Sequence, residues 1–193
     1  MNENVCDGHL HTFMFCSNHT IRTKALEEIL EYSYHALIEN KHLLQKQGED
    51  ALSIQIIMQL KMLGIIATHD EQVGGHCDIT VRGKKHFLWI GEAKIHNSYK
   101  WLEDGFLQLS TRYATGGVGQ DRGEIIIYCF IANAVSVLEN WKERLLGLCD
   151  TIRIEEDKIP THFYFRSSHI AENTGTHFHT RHRIIPLFWK PKK

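Results

Sequence analysis

The chain has 193 residues, a formal net charge of −1, 42% hydrophobic and 23% charged residues. That length suits one domain with a sizeable core, and the balance of apolar and charged residues excludes a disordered or fibrous protein. The near-neutral charge excludes a protein drawn to nucleic acid by bulk charge alone, and no apolar stretch approaches the roughly 20 residues that span a bilayer, so no membrane partner is expected.

At the start of the chain, MNENVCDGHLHTF has no basic segment followed by an apolar one, so no secretory signal is expected. The five cysteines (Cys6, Cys16, Cys77, Cys129, Cys149) are odd in number and scattered. They read as reduced thiols and point to a cytoplasmic location. Thr23 to Gln47 places Leu26, Ile29, Leu30, Leu37 and Leu44 near helical spacing. Gly48 interrupts, and residues 49 to 63 resume with Leu52, Ile56, Leu60 and Leu63 before a capping Gly64. The pattern then shifts to three short strands, IIATHDE, HCDITVR and HFLWIGEAKI, separated by Gly74-Gly75 and Gly83-Lys84-Lys85. Trp101 to Tyr113 returns to a helical pattern. A glycine-rich loop, TGGVGQDRG, leads into EIIIYCFIA, an apolar run suited to a strand covered on both faces. The loop lacks the lysine and hydroxyl residue that complete a phosphate-binding loop. Asn133 to Cys149 is a further amphipathic helix, and HFYFRSS and FHTRHRIIPLFW are two late strands. This order predicts a single mixed-sheet α/β domain and not a repeating βα array.

Within this plan the stretch GGHCDITVRGKKHFLWIGEAKI, residues 74 to 95, carries Asp78, Glu92 and Lys94 in otherwise apolar strands. An antiparallel hairpin turning over Lys84-Lys85-His86 sets Val81 opposite Trp89 and Asp78 opposite Glu92. The two-residue period then brings Glu92 and Lys94 to one face, level with Asp78. Two carboxylates side by side on an apolar sheet resist joint ionisation and need a counter-charge. Mg²⁺ meets that need with hard oxygen ligands, Mn²⁺ being the alternative, and Lys94 beside it can orient or help deprotonate a water. The plainer reading is a cross-strand ion pair between Lys94 and one acid.

The pattern G-G-H-C-Asp78, a hairpin-length gap, then Glu92-Ala93-Lys94 resembles the PD-(D/E)XK nuclease superfamily (restriction endonuclease-like), with Cys77 in place of the name-giving proline. The resemblance covers residues 48 to 132; a helical extension at 23 to 47 and a helix with a β hairpin at 133 to 193 lie outside it. It implies a Mg- or Mn-dependent endonuclease that cuts DNA, RNA being the other substrate. Asp78, Glu92 and the Ala93 carbonyl become metal ligands and Lys94 the residue that orients water. By the same resemblance Glu49 takes the position of the glutamate on the preceding helix, with Glu39 in reserve. Read by itself, Glu49 is favourable charge at a helix N-terminus. Gln108 and Tyr113 match a glutamine and tyrosine of RecB-like members at a spacing one residue longer, and Arg112 shares a helical face with Gln108. A homodimer is expected, because one such site cuts one strand. The alternative is a non-catalytic binding or regulatory subunit of the same fold, as in an antiphage or restriction-like system.

Two other patterns compete for a function. DGHLHT, residues 7 to 12, resembles the H-x-H motif of PHP-type metal phosphoesterases, whose barrel of βα units disagrees with the helices that follow here. After Thr174 no acidic residue occurs, while Arg181, Arg183, Lys190, Lys192 and Lys193 are basic. This predicts a C-terminal basic edge, either solvated or tracking phosphates, with Arg181 and Arg183 as nucleic-acid contacts. The fourteen histidines show no repeated ligand spacing.

Overall fold

The computed structural model describes the backbone of residues 3–191 and the side chains of residues 8–191. It is a single mixed α/β domain built on a seven-stranded sheet. Helices α1 (Glu3–Phe15), α2 (His19–Glu39) and α3 (Glu49–Met62) come first, followed by strands β1 (Ile66–Thr68), β2 (Glu71–Gln72), β3 (His76–Cys77), β4 (Ile79–Arg82) and β5 (Leu88–Ile95). Then α4 (Tyr99–Leu107), β6 (Arg122–Cys129), α5 (Ala134–Leu146), β7 (Arg153–Asp157), β8 (Tyr164–Ile170) and β9 (His177–Pro186) complete the chain.

The main sheet runs β1-β4-β5-β6-β9-β8-β7, with β2 and β3 forming a separate ribbon. Pairing is antiparallel for β1/β4 and β4/β5, parallel for β5/β6 and β6/β9, and antiparallel again for β9/β8 and β8/β7. Helices α1, α2 and α3 cover one face, packing Leu26, Ile29, Leu52 and Ile56 against Val81, Trp89, Ala93 and Tyr128. On the other face α4 and α5 pack Leu102, Phe106, Leu138 and Trp141 against Ile90, Ile125, Ile127 and Ile184. Central β5 and β6 are buried almost throughout, β6 as its apolar run requires and β5 with Glu92 and Lys94 buried along it. No helix among the described residues is long and apolar enough to cross a membrane.

Several expectations are corrected. The first long helix begins at His19, where Asn18 accepts the Ile21 N–H at 3.0 Å, and ends at Glu39, where the Asn40 side chain bonds back to the Ala36 carbonyl. A tight 3-10 turn, Lys41–Leu43, replaces its predicted last turns. Residues 3–15 form a helix that weak periodicity concealed; it docks through Phe13, Leu10 and Met14. His9 and His11 therefore lie on different faces of a helix and not on a strand end, which removes the H-x-H reading. Strand β7 went unseen because RIEED is mostly charged.

The largest correction concerns the C-terminus. Strand β9 is an inner strand lying parallel to β6, not an appended edge. Arg181 and Arg183 are 3% and 2% exposed. Arg181 pairs with Glu124 at 2.7 Å and Arg183 with Glu31 at 2.8 Å, so neither is available to a phosphate. Arg166, on β8, is likewise taken by Glu27 at 2.7 Å. The two arginines do share a face, and acids distant in sequence neutralise it. Lys192 and Lys193 lie outside the described residues.

Candidate functional site

The hairpin register is the one its alternation implies. Val81 pairs with Trp89 and Ile79 with Gly91, so Asp78 stands level with Glu92. The Gly83 N–H donates to the Phe87 carbonyl at 3.0 Å, and Lys85 and His86 take left-handed φ values of 59° and 61° to close the turn.

Strand β4 starts at Ile79, whereas β5 continues to Ile95. The N–H groups of Ala93 and Ile95 on that edge therefore lie past the end of the β4 ladder. Two carboxylates take them: Asp78 Oδ2 accepts from Ala93 at 2.8 Å and Glu49 Oε2 from Ile95 at 2.6 Å. Glu49 reaches this edge because α3 begins there, after Gly48. Within a strand the N–H and C=O of one residue point the same way, so the Ala93 carbonyl faces the same side as Asp78.

Lys94 is the hub. Its Nζ lies 2.5 Å from Glu92 Oε1 and 3.8 Å from both Asp78 Oδ2 and Glu49 Oε1. The side chains of Lys94 and Glu92 are 6% and 2% exposed, those of Asp78 and Glu49 23% and 24%. One ammonium thus answers three carboxylates. Burial, reinforced by Asp78, pushes the Glu92 carboxyl up to about 7 despite Lys94. Burial also raises Asp78 and Glu49 above the usual carboxylate range. Burial opposes charge on Lys94, but Glu92, Asp78 and Glu49 outweigh it and hold Lys94 above the ordinary lysine range. The three acids accordingly favour Lys94 in its charged form. Cys77, where the motif's proline would stand, is an inert thiol, pushed up to about 12 by burial and then by Glu92 and Asp78.

Helix α4 lies directly over the cluster because Gly105 has no side chain there. A Cβ at Gly105 would stand 3.1 Å from Lys94 Cε and 3.5 Å from Glu92 Cγ. Gln108, one turn on from Gly105, has a buried Oε1 with no partner. From Gln108 to Tyr113 the helix widens into a π-helical turn. This turn spans the extra residue by which the Gln108 to Tyr113 spacing is longer. The Tyr113 hydroxyl donates to the His76 carbonyl at 2.7 Å, beside the ribbon that leads into Asp78. Arg112 is exposed, and no acid among the described residues pairs with it. Glu39 is exposed at the end of α2, lining a separate cleft with Glu28, Glu31 and His35.

Asp78, Glu92, Lys94, Glu49 and the Ala93 main chain therefore come together, with Gln108 on the overlying helix. Arg181 and Arg183 do not. Two neighbours went unnoticed in sequence. His69 lies 3.6 Å from Asp50, the residue after Glu49 on α3. The Trp101 ring sits 5.1 Å from Lys94 Nζ; its only signal was an aromatic residue out of phase with the buried Leu102, Phe106 and Leu109.

The donor set fits a hard divalent cation by its chemistry. Glu92 Oε2 is buried without a partner, and Asp78 commits only Oδ2 to the strand edge. Lys94 stands between the acids, however, and among the described residues no group of three or more His, Cys, Asp or Glu is arranged to hold a metal ion. Comparison with protein-family models, curated proteins and solved structures finds no match to this chain, so what the site can do is to be read from its own chemistry.

Proposed function

We propose that this chain is a metal-dependent nuclease that hydrolyses phosphodiester bonds of DNA or RNA in the manner of the PD-(D/E)XK superfamily. The observation that carries the reading is the surplus of carboxylate around buried Lys94 where β5 outruns β4. A fold gains nothing in stability from a buried glutamate with one oxygen left unpartnered. A site that receives a cation and a phosphate does gain from it. Gln108 and Tyr113 at the two ends of the π-helical turn, one residue further apart than the RecB-like pair, support the same reading.

In this reading Asp78, Glu92 and the Ala93 carbonyl hold Mg²⁺ or Mn²⁺. The cation, when bound, supplies Lewis-acid charge to the phosphoryl oxygens. Lys94, protonated, donates to the attacking water and offsets charge that develops on the phosphate. Glu49 fixes Lys94 from the second side while its other oxygen is anchored on the Ile95 N–H. Gln108 offers its free carbonyl oxygen to a water in the cleft. Hydrolysis adds the water's hydroxyl to phosphorus, and its proton ends on the leaving oxygen.

The test is cleavage of supercoiled plasmid and of single-stranded DNA and RNA with Mg²⁺ or Mn²⁺ by wild type, Asp78→Ala and Lys94→Ala. Both variants are expected to lose about 100-fold or more in rate. Equal rates for all three proteins remove the assignment. A second reading, a non-catalytic nuclease-fold subunit, is favoured by one observation: Lys94 already contacts Glu92 at 2.5 Å as an internal counter-ion. Calorimetry with Mn²⁺ separates the two, because the subunit reading predicts no heat that depends on Asp78.

A further inference from the structure

We infer that Trp101 is a base-stacking platform for the candidate site, whose substrate is a single strand or an unpaired nucleotide held more by stacking than by phosphate charge. This inference rests on the nuclease reading above and extends it to the class of substrate.

Trp101 is in the first turn of α4, where Ser98 Oγ accepts its main-chain N–H at 3.2 Å. The buried stripe of that helix is Leu102, Phe106 and Leu109, and Trp101 remains 43% exposed. By contrast Trp89 and Trp141 are wholly buried. The Trp101 ring adds little to the core, and what it does touch is the site. Lys94 Nζ lies 5.1 Å from its centroid. A cation against one face of an indole leaves the remaining surface for a base, whose π-face stacks regardless of sequence. The half-buried His96 and Tyr99 rings, 5.1 Å apart, precede it on the same loop and helix start.

Charge points the same way. A duplex is held mainly by Lys and Arg that neutralise phosphates, and here the arginines, the residues best suited to that task, are largely paired within the protein, whereas lysines such as Lys24, Lys61, Lys84 and Lys85 stay unpaired among the described residues, on other elements. Arg82 is taken by Glu71, Lys100 by Asp104, Arg144 by Glu103, Arg166 by Glu27, Arg181 by Glu124 and Arg183 by Glu31. The arginine left uncommitted on the segment that continues α4 is Arg112. A site with three carboxylates, whose own β5 and α4 lysines, Lys94 and Lys100, are both paired with acids, binds a polyanion weakly through charge. Stacking on Trp101 supplies affinity that charge does not, and it requires a base that is not already stacked in a duplex.

The test uses the full chain in a Trp189→Phe background, which leaves Trp101 as the exposed tryptophan, and a fluorescein-labelled ten-nucleotide oligo-dT with Ca²⁺. Binding should quench tryptophan emission. By anisotropy, Trp101→Ala should weaken binding about 10-fold and Trp101→Tyr should restore it. The log–log salt slope should stay near 1.4, about two single-strand phosphate contacts at about 0.7 each. Unchanged affinity in Trp101→Ala, absence of oligo-dT binding, or tighter binding of a duplex of the same length overturns the inference. With Mn²⁺ the cleavage KM for oligo-dT should rise in Trp101→Ala. Trp101-dependent binding without cleavage in any metal upholds the platform and removes the nuclease reading. Cleavage with an unchanged KM removes the platform and leaves the nuclease reading standing.

Discussion

Two clusters of charge lie on the same sheet, and they are built in opposite ways. Under α2, Arg166, Arg181 and Arg183 meet Glu27, Glu124 and Glu31, three cations against three acids, with Glu156 at the rim shared by Arg166 and Lys158. Both oxygens of Glu27 and of Glu31 are taken by guanidinium groups, and Glu124 is held by Arg181 and by the Tyr34 hydroxyl. Around Lys94 one cation faces three acids, and a buried glutamate oxygen is left without a partner. Balanced, fully bonded charge in a core ties elements together: here it joins α2 to β8 and β9. Unbalanced charge at a strand end costs stability, and in the nuclease reading proposed above a bound cation would offset it. Counting partners thus separates the two where counting arginines along the sequence misleads.

Breaking the balanced cluster should have the larger effect on folding. Arg181→Met leaves Glu124 buried beside a thioether, and about 3–5 kcal/mol should be lost. For a chain of this length that is a fall in Tm of roughly 10 °C by calorimetry. A fall of only 1–2 °C would mean that Arg181 is not integral to the core.

The unbalanced cluster should respond to pH with the opposite sense from an ordinary salt bridge. Glu92 has a folded pKa of about 7 against a reference of 4.5. Its protonated form is favoured in the fold, so its contribution is fully present below about pH 4.5 and is lost as pH rises through 7. Burial pushes Glu124 of the balanced cluster up to about 7 as well, so Glu92→Gln should remove only the Glu92 share of the dependence and stabilise the protein at pH 8 by up to roughly 3 kcal/mol. Urea midpoints at pH 5 and pH 8 measure it, and a variant less stable than wild type at pH 8 would show that Lys94 fully compensates Glu92.

A cation that fills the deficit should recover part of this stability. At pH 8, Mn²⁺ at ten times its Kd should add about 1.4 kcal/mol to wild type and nothing to Asp78→Ala. The balanced cluster offers no such response, so Mn²⁺ should leave the deficit caused by Arg181→Met unchanged. The smallest effect concerns the helix above the cluster. Ser98→Ala removes the N-cap of α4 and should cost about 1 kcal/mol. Hydrogen exchange should localise that loss to Tyr99–Leu107, with β9 unaffected.

What was legible in the chain follows from the range of the interactions involved. The hairpin from Ile79 to Ile95 is local: alternating apolar residues and a short turn leave one register that buries Val81 and Trp89, and this register brings Asp78 level with Glu92. The continuous apolar run of β6 and the stripe of α5 were equally readable. Helix α1 was not, because docking on α2 and the sheet stabilises it more than any periodicity of its own. The π-helical turn also needed the fold, since an extra residue between Gln108 and Tyr113 shows its geometry only when the helix is packed.

Local patterning therefore decided the α/β class and the meeting of Asp78, Glu92 and Lys94, since strand period and turn chemistry act over a few residues. Tertiary structure decided which charges are free. Arg181 finds Glu124 57 residues away and Glu31 150 residues away, because β9 inserts beside β6 and beneath α2. A sheet brings such partners together through strand order, and strand order is written in no single stretch of the chain.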